Sequence, residues 1–335
     1  MPILARILRE RGIVTERQLR EAIQHQVLYG GRLGTSLYEL GLITEERLRE
    51  ALSRAHGVPS VAVEHRDIQP EAVALLSKAV VSRHRVFPYR LKGRTLFLLM
   101  VDPTDQTALA KVGYSIGYIV KPLVVPEFRM IQLLKDHYGV DERWRFNDTQ
   151  RGPEDPHIEP TVDPLAAAQA LDSAASRDEV VEALLALSHR FFKRVIFFIV
   201  REPWVIGWGG LGEGMDRTLA GSFRIPLDKP SVFQTVSRSR TPFIGRLGPD
   251  EENQRFARAL GKRPNTSAVV IPVAVLGRVV NLIYGDNGAS GNARTDLGEL
   301  FALVQKAPRA YLRIIRRRIA ETRKAAEAAG VATDD

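Results

Sequence analysis

The stretch Gly12-Ile13-Val14-Thr15-Glu16-Arg17-Gln18-Leu19-Arg20-Glu21-Ala22-Ile23 returns 29 positions later as Gly41-Leu42-Ile43-Thr44-Glu45-Glu46-Arg47-Leu48-Arg49-Glu50-Ala51-Leu52. Self-similarity at this period reads as one helical unit written twice. Thr15 and Thr44 stand where N-caps belong, and Glu16, Glu45 and Glu46 follow in the first turn, where the helix dipole favours acids. Thr15 and Gln18 have the spacing of a capping box, which Arg47 breaks in the second copy. Leu19 and Ile23, like Leu48 and Leu52, lie four apart and share a buried stripe. Gly12 and Gly41 precede short apolar links, where a helix ends on a residue with positive φ. Each copy therefore predicts helix, glycine stop, apolar link and capped helix.

The frame Arg32-Leu33-Gly34-x-x-Leu37-x-x-x-Gly41, continued by Leu48 and Leu52, resembles the repeated motif of the MshEN class, the N-terminal domain of type II secretion and type IV pilus assembly ATPases. The upstream copy keeps that frame through Leu4, Leu8, Gly12, Leu19, Ile23 and Gln26, and Val27 to Gly31 form the spacer. Downstream, His56-Gly57-Val58-Pro59, Ser82-Arg83-His84-Arg85-Val86-Phe87-Pro88-Tyr89, the strand Thr95 to Val101, and Asp102-Pro103-Thr104-Asp105 are similar to the smaller α/β half of that domain. The resemblance implies cyclic di-GMP as a regulatory ligand of the paired motifs, with these thirteen motif residues as its site. It also implies secretion or pilus machinery proteins as partners. The chemistry is consistent: arginine stacks on guanine and contacts phosphate, glycine admits close backbone approach, and leucines wall the purines. The chain departs from the pattern at Ile3 and Ala5, where the first motif has Arg and Gly, and at Ala55, where the second ends in Gln. Each lost charged or buried hydrogen bond is worth about 1–3 kcal/mol. A purely structural or protein-docking role for the repeats therefore stands beside nucleotide binding.

Composition bounds the remaining choices. A chain of 335 residues, 44% hydrophobic, can bury two cores. Without cysteine there is no disulfide, thiolate metal site, cysteine nucleophile or thiol-linked chromophore. No apolar run reaches the ~20 residues of a membrane span, so the cytoplasm is the expected location. The seven histidines form no ligand pair at helical spacing. The formal charge of +9 suits anionic partners without choosing one. No catalytic residue, metal site or cofactor is expected. Asp102-Pro103 is read as a strand end, with Thr104 or Asp105 capping the next helix.

From Asp141 to Pro164 the chain turns proline-rich and polar, which predicts a linker. Ser176-Arg177-Asp178-Glu179 then offers a capping box before an amphipathic helix. Arg194 to Val200 and Trp204 to Trp208 read as one hairpin, and Ala268 to Val275 and Val279 to Asp286 as a second. A closing helix follows from about Thr295. This order of elements, with Leu282-Ile283-Tyr284-Gly285-Asp286 ending the second hairpin, resembles the GAF family from roughly Leu165 to Leu312. The resemblance implies a pocket on the cupped sheet face, walled by Ile225 to Phe233 and Thr241 to Gly245. Gly207-Trp208-Gly209-Gly210-Leu211-Gly212 fits the dinucleotide-loop spelling, but a poor helix start follows and a flexible glycine loop is the reading adopted. No stretch spells G-x-x-x-x-G-K-[ST], the phosphate loop of the secretion ATPases. The last helix carries Arg309, Arg313, Arg316, Arg317, Arg318, Arg323 and Lys324 beside Leu312, Ile315 and Ile319, after an expected kink at Pro308. That stripe predicts a homodimer through this helix.

The expected fold class is α+β: a tandem helical repeat (1–60) and small α/β subdomain (61–140) forming an MshEN-like domain (1–140), then a linker (141–164). A GAF-like antiparallel sheet flanked by helices follows (165–325), with a flexible tail (326–335). The expected function is that of a non-enzymatic regulatory or adaptor protein, with neither nucleic acid nor a membrane span. The alternatives are a DNA-binding regulator using the helical repeats and a nucleotide-dependent enzyme using the glycine-rich segment.

Overall fold

The computed structural model describes residues 2–140, 163–215, 217–261, 267–288 and 296–327. Two compact units divide the chain, the first comprising Met1–Gln26, Gly30–Glu154 and Arg318–Asp335, the second Val27–Tyr29 and Asp155–Arg317. Most of the expected linker, 141–162, and the tail from 328 lie outside the described residues.

In the first unit the repeat folds as α1 (Pro2–Glu10), α2 (Glu16–Tyr29), α3 (Leu33–Glu39) and α4 (Glu45–His56). Both caps form: the Thr15 hydroxyl accepts from the Gln18 amide and the Gln18 side chain returns the bond, whereas Thr44 accepts from the Arg47 amide with no reciprocal partner. Gly12 and Gly41 adopt φ of +61° and +68° at the stops. Ala5, Leu8, Leu19, Ile23, Leu33, Leu37 and Leu48 bury together as the repeat's core. Gly34 is a packing residue, because a Cβ there would stand 2.8 Å from Leu48.

The α/β half adds α5 (Pro70–Val73), α6 (Lys78–His84), β1 (Val86–Lys92), β2 (Thr95–Met100), α7 (Gln106–Ile116), β3 (Ile119–Val124) and α8 (Glu127–Tyr138). β1 and β2 pair antiparallel, while β2 and β3 pair parallel through the crossover helix α7. The Asp105 carboxylate caps α7 by accepting from the Ala108 amide, as the sequence predicts.

The second unit opens one helix earlier than expected, with α9 (Pro164–Ser173), because proline is preorganised for the first helical position. Next come α10 (Arg177–His189), β4 (Arg194–Arg201), β5 (Trp204–Gly212), α11 (Arg217–Ser222), β6 (Arg224–Pro226), α12 (Val232–Ser239), β7 (Phe243–Arg246), α13 (Glu251–Ala259), β8 (Ser267–Val275), β9 (Arg278–Asp286), α14 (Gly298–Val304) and α15 (Ala307–Glu327). The two predicted hairpins lie side by side in a six-stranded antiparallel sheet of order β6-β5-β4-β9-β8-β7. The fold class is therefore α+β, a helical repeat with a small α/β subdomain followed by an antiparallel sheet flanked by helices.

Two readings are corrected. The segment Gly207–Gly212 is strand, not a flexible loop, and its glycines serve close packing: a Cβ on Gly207 would meet the Ala220 carbonyl oxygen at 1.8 Å, and one on Gly212 the Lys193 oxygen at 1.9 Å. The closing helix expected from about Thr295 with a kink at Pro308 is instead two helices, α14 ending at Val304 and α15 carrying Pro308 in its first turn, where its missing amide proton is harmless. Within the second unit Tyr311, Ile314 and Ile315 of α15 are buried. Arg313 donates to the Leu171 and Ala174 carbonyls and Arg317 to that of Ala175, capping the end of α9.

The sheet face expected to form a pocket is packed with Phe198, Phe223, Phe233, Phe256 and Tyr284, whose ring centroids stand 4.9–6.4 Å apart in contacting pairs. At one end of the sheet the buried Arg194 guanidinium donates to both Asp286 oxygens at 3.1 and 3.2 Å and to the Leu260 carbonyl at 2.9 Å. That pairing keeps a buried charge satisfied.

Candidate functional site

The thirteen motif residues sort by what the repeat does with each. Leu8, Leu19, Ile23, Leu33, Leu37 and Leu48 are core side chains, Leu4 and Leu52 pack at the margin of that core, Gly34 makes room for Leu48, and Gly12 and Gly41 serve the backbone. The polar pair, Gln26 and Arg32, flanks the spacer. Gln26 Nε2 donates to the Gly31 carbonyl at 2.9 Å. Gly30 and Gly31, with φ of +72° and +82°, turn the chain into Arg32, the N-cap residue of α3.

Arginine cannot act as an accepting cap, and the acceptor comes from far along the chain. Glu127, in the first turn of α8, accepts from the Arg32 amide at 2.6 Å and from the Thr35 hydroxyl at 3.0 Å. Its carboxylate is only 3% exposed, yet it sits at the starts of both α3 and α8, where two helix dipoles favour a negative charge. The next two residues extend the clasp. Phe128 stacks on Tyr38 of α3 with centroids 4.0 Å apart and planes 11° from parallel. Arg129 then grips Glu45 at the start of α4 with two bonds of 3.0 and 2.5 Å. Three consecutive α8 residues thus fasten the second helical copy to the α/β half.

The Arg32 side chain reaches Asp102, at the end of β2, through a bridge of 3.4 Å, and its Nε has no hydrogen-bond partner. Asp102 is held more firmly by Thr104, whose hydroxyl and amide donate at 2.5 and 3.1 Å. Burial pushes the Asp102 carboxyl upward, but Thr104 and Arg32 outweigh it and leave the pKa below the ordinary value. Burial lowers His56, with Asp102 opposing and Arg32 adding to the shift. It also lowers Arg85, against the field of Glu127. Arg32 and Arg85 therefore share one neighbourhood with Asp102 and Glu127, two guanidiniums balanced by two carboxylates, with His56 beside them shifted toward its neutral form.

Sequence reasoning named Arg32 and Gln26 but missed Glu127, Thr35, Phe128 and Arg129, and it read Asp102 only as a strand end. The sole local signal was Pro126-Glu127, which spells an acidic first turn and nothing about α3. Among the described residues no group of three or more His, Asp or Glu could hold a metal ion. No described helix is long and apolar enough to cross a membrane.

The MshEN domain model matches residues 56–144, the α/β half with the end of α4. The type IV pilus assembly ATPase PilB of Myxococcus xanthus is 30% identical over 136 residues, which is 41% of this chain and 24% of the relative. The chain thus spans about a quarter of that relative's length. The structure of MshE with c-di-GMP is 29% identical and covers 40% of this chain and 98% of its own, with a TM-score of 0.33. A GAF domain from a phosphoenolpyruvate-protein phosphotransferase of Coxiella burnetii is 15% identical and covers 47% of this chain and 94% of its own, with a TM-score of 0.36. The chain therefore carries an MshEN domain at residues 56–144, and 136 of its residues are homologous to a type IV pilus assembly ATPase.

Proposed function

We propose that this chain is a regulatory or adaptor protein of pilus or secretion machinery that senses cyclic di-GMP at its helical repeats. The observation that carries the reading is the state of Arg32. Its guanidinium stands at the junction of α3 and the α/β half, with one long bridge to Asp102 and a bare Nε. A phosphate or guanine acceptor can replace Asp102 there, because a partly exposed pair at 3.4 Å is worth little. Charge-assisted bonds from an arginine fork to a ligand are stronger. Glu127 fixes the Arg32 backbone independently of that exchange, so the side chain is presented from a rigid base.

In this reading the chemistry is binding and not catalysis, and Leu4, Gln26 and Leu52 border the ligand while the buried leucines support it. Ligand capture of Arg32 frees Asp102 and changes how α3 meets the α/β half, which a machinery protein then reads. Titrating cyclic di-GMP into the full chain and into Arg32→Ala tests the proposal: saturable binding in the first and a loss of at least tenfold in the second is the expected result.

A further inference from the structure

The first copy of the motif lacks its arginine at Ile3, yet the structure concentrates positive charge one turn further along. Arg6 and Arg9 of α1 line a cleft with Glu16, Ile23, Thr322 and Arg323, all of them residues of the first unit. Three arginines and one carboxylate, Glu16, are among the residues that line it. Glu16 is shared, at 3.4 Å from Arg9 and 3.8 Å from Arg20, and Arg6 reaches Glu10 only at 3.8 Å. Arg6 Nε and Arg9 Nη2 are shielded from solvent and have no hydrogen-bond acceptor. Buried donors are almost always paired, and unpaired ones call for a water, an ion or a ligand. Two cationic donors without a hydrogen-bond acceptor, on residues that line the same cleft, call for an acceptor with negative charge.

We infer that this cleft is an anion site for a phosphate group. The free space within it is about 10 Å³, at the lower limit for one water, so one phosphate oxygen enters while the rest of the group stays at the mouth. Arg6 and Arg9 lie three apart on α1 and present their guanidiniums on one face. Arg323 of α15 also lines the cleft. Glu16 weakens the site, and its pairing with Arg9 and Arg20 limits that effect. As the source of the phosphate, a phosphodiester of cyclic di-GMP rests on the function proposed above; free inorganic phosphate offers the same chemistry without it.

The test uses the full chain and two probes, inorganic phosphate and cyclic di-GMP, titrated calorimetrically into the wild type, Arg6→Gln, Arg9→Gln and Arg32→Ala. The inference expects saturable phosphate binding that falls at least tenfold in Arg6→Gln and Arg9→Gln and is unchanged in Arg32→Ala. Absence of phosphate binding, or equal binding in all four proteins, overturns it. If phosphate binds as expected and cyclic di-GMP does not, the anion site stands and the messenger reading falls. If cyclic di-GMP binds with sensitivity to Arg32→Ala alone and phosphate does not bind, the anion site falls and the messenger reading stands. The arginine side-chain N–H resonances of the wild type provide a check that needs no variant: phosphate shifts those of Arg6 and Arg9 if the inference holds, and leaves them in place if it does not.

Discussion

The backbone amide of Arg32 donates to the carboxylate of Glu127 at 2.6 Å across 95 positions of sequence. This bond joins the start of the second helical copy to the first turn of α8 through the Arg32 backbone, while the Arg32 guanidinium bridges to Asp102. The same carboxylate holds the Thr35 hydroxyl, so one buried group organises the first turn of α3.

Removing that carboxylate should therefore loosen the repeat. Glu127→Ala is expected to destabilise the first unit by about 2–3 kcal/mol, the range for buried hydrogen bonds to a charged group. Glu127→Gln keeps an acceptor oxygen and should lose about half as much. Urea denaturation followed by circular dichroism measures both; equal stability of all three proteins would show that the clasp carries no load.

The glycines separate conformational need from crowding. Gly12 has φ of +61° and open space around its missing Cβ, so Gly12→Ala should cost about 1 kcal/mol through backbone strain alone. Gly212 combines φ of +98° with a Cβ position 1.9 Å from the Lys193 oxygen, so Gly212→Ala should cost upward of about 3 kcal/mol. Denaturation midpoints of the two variants give the comparison, and similar losses would contradict this assignment of roles.

Much of the helical repeat was legible because its signals are local. Thr15, Thr44, Gly12 and Gly41 act within a few residues of themselves, and the structure uses each as its position implies. The two hairpins were legible for the same reason, through apolar runs separated by short turns. The clasp was not legible, because Glu127, Phe128 and Arg129 look like an ordinary helix start until α3 and α4 are placed beside them. Gly207–Gly212 misled in the opposite direction: a run of glycines suggests a loop, but here it lets neighbouring backbone approach a strand. The motif leucines show a further limit, since the pattern that marks them as a ligand wall is also the pattern of a core stripe, and five of them lie in the core together with Ile23.

Stability should depend on pH through histidines. Burial lowers His56, His84 and His137 below the ordinary 6.5. A base with a depressed folded pKa binds its proton more readily when unfolded, so its contribution is fully present above 6.5 and is lost as pH falls below it. Asp102 works in a different window, because its depressed pKa supports stability above the ordinary 3.8 and is lost only in stronger acid. The melting temperature should therefore fall between pH 7.5 and pH 5.5, and fall less in His56→Gln. A flat profile over that interval would rule out the histidine contribution.

In the proposed function Arg32 exchanges Asp102 for a nucleotide. Calorimetric titration of cyclic di-GMP into the full chain, alongside Arg32→Ala, tests it most directly. The Arg32–Asp102 pair is partly exposed, so the variant should lose less than about 1 kcal/mol of stability, and a change in binding can be read as a change at the site. Saturable binding that weakens at least tenfold in Arg32→Ala, while the melting temperature barely moves, is the expected result. No binding by the wild type, or equal binding by both proteins, would contradict it.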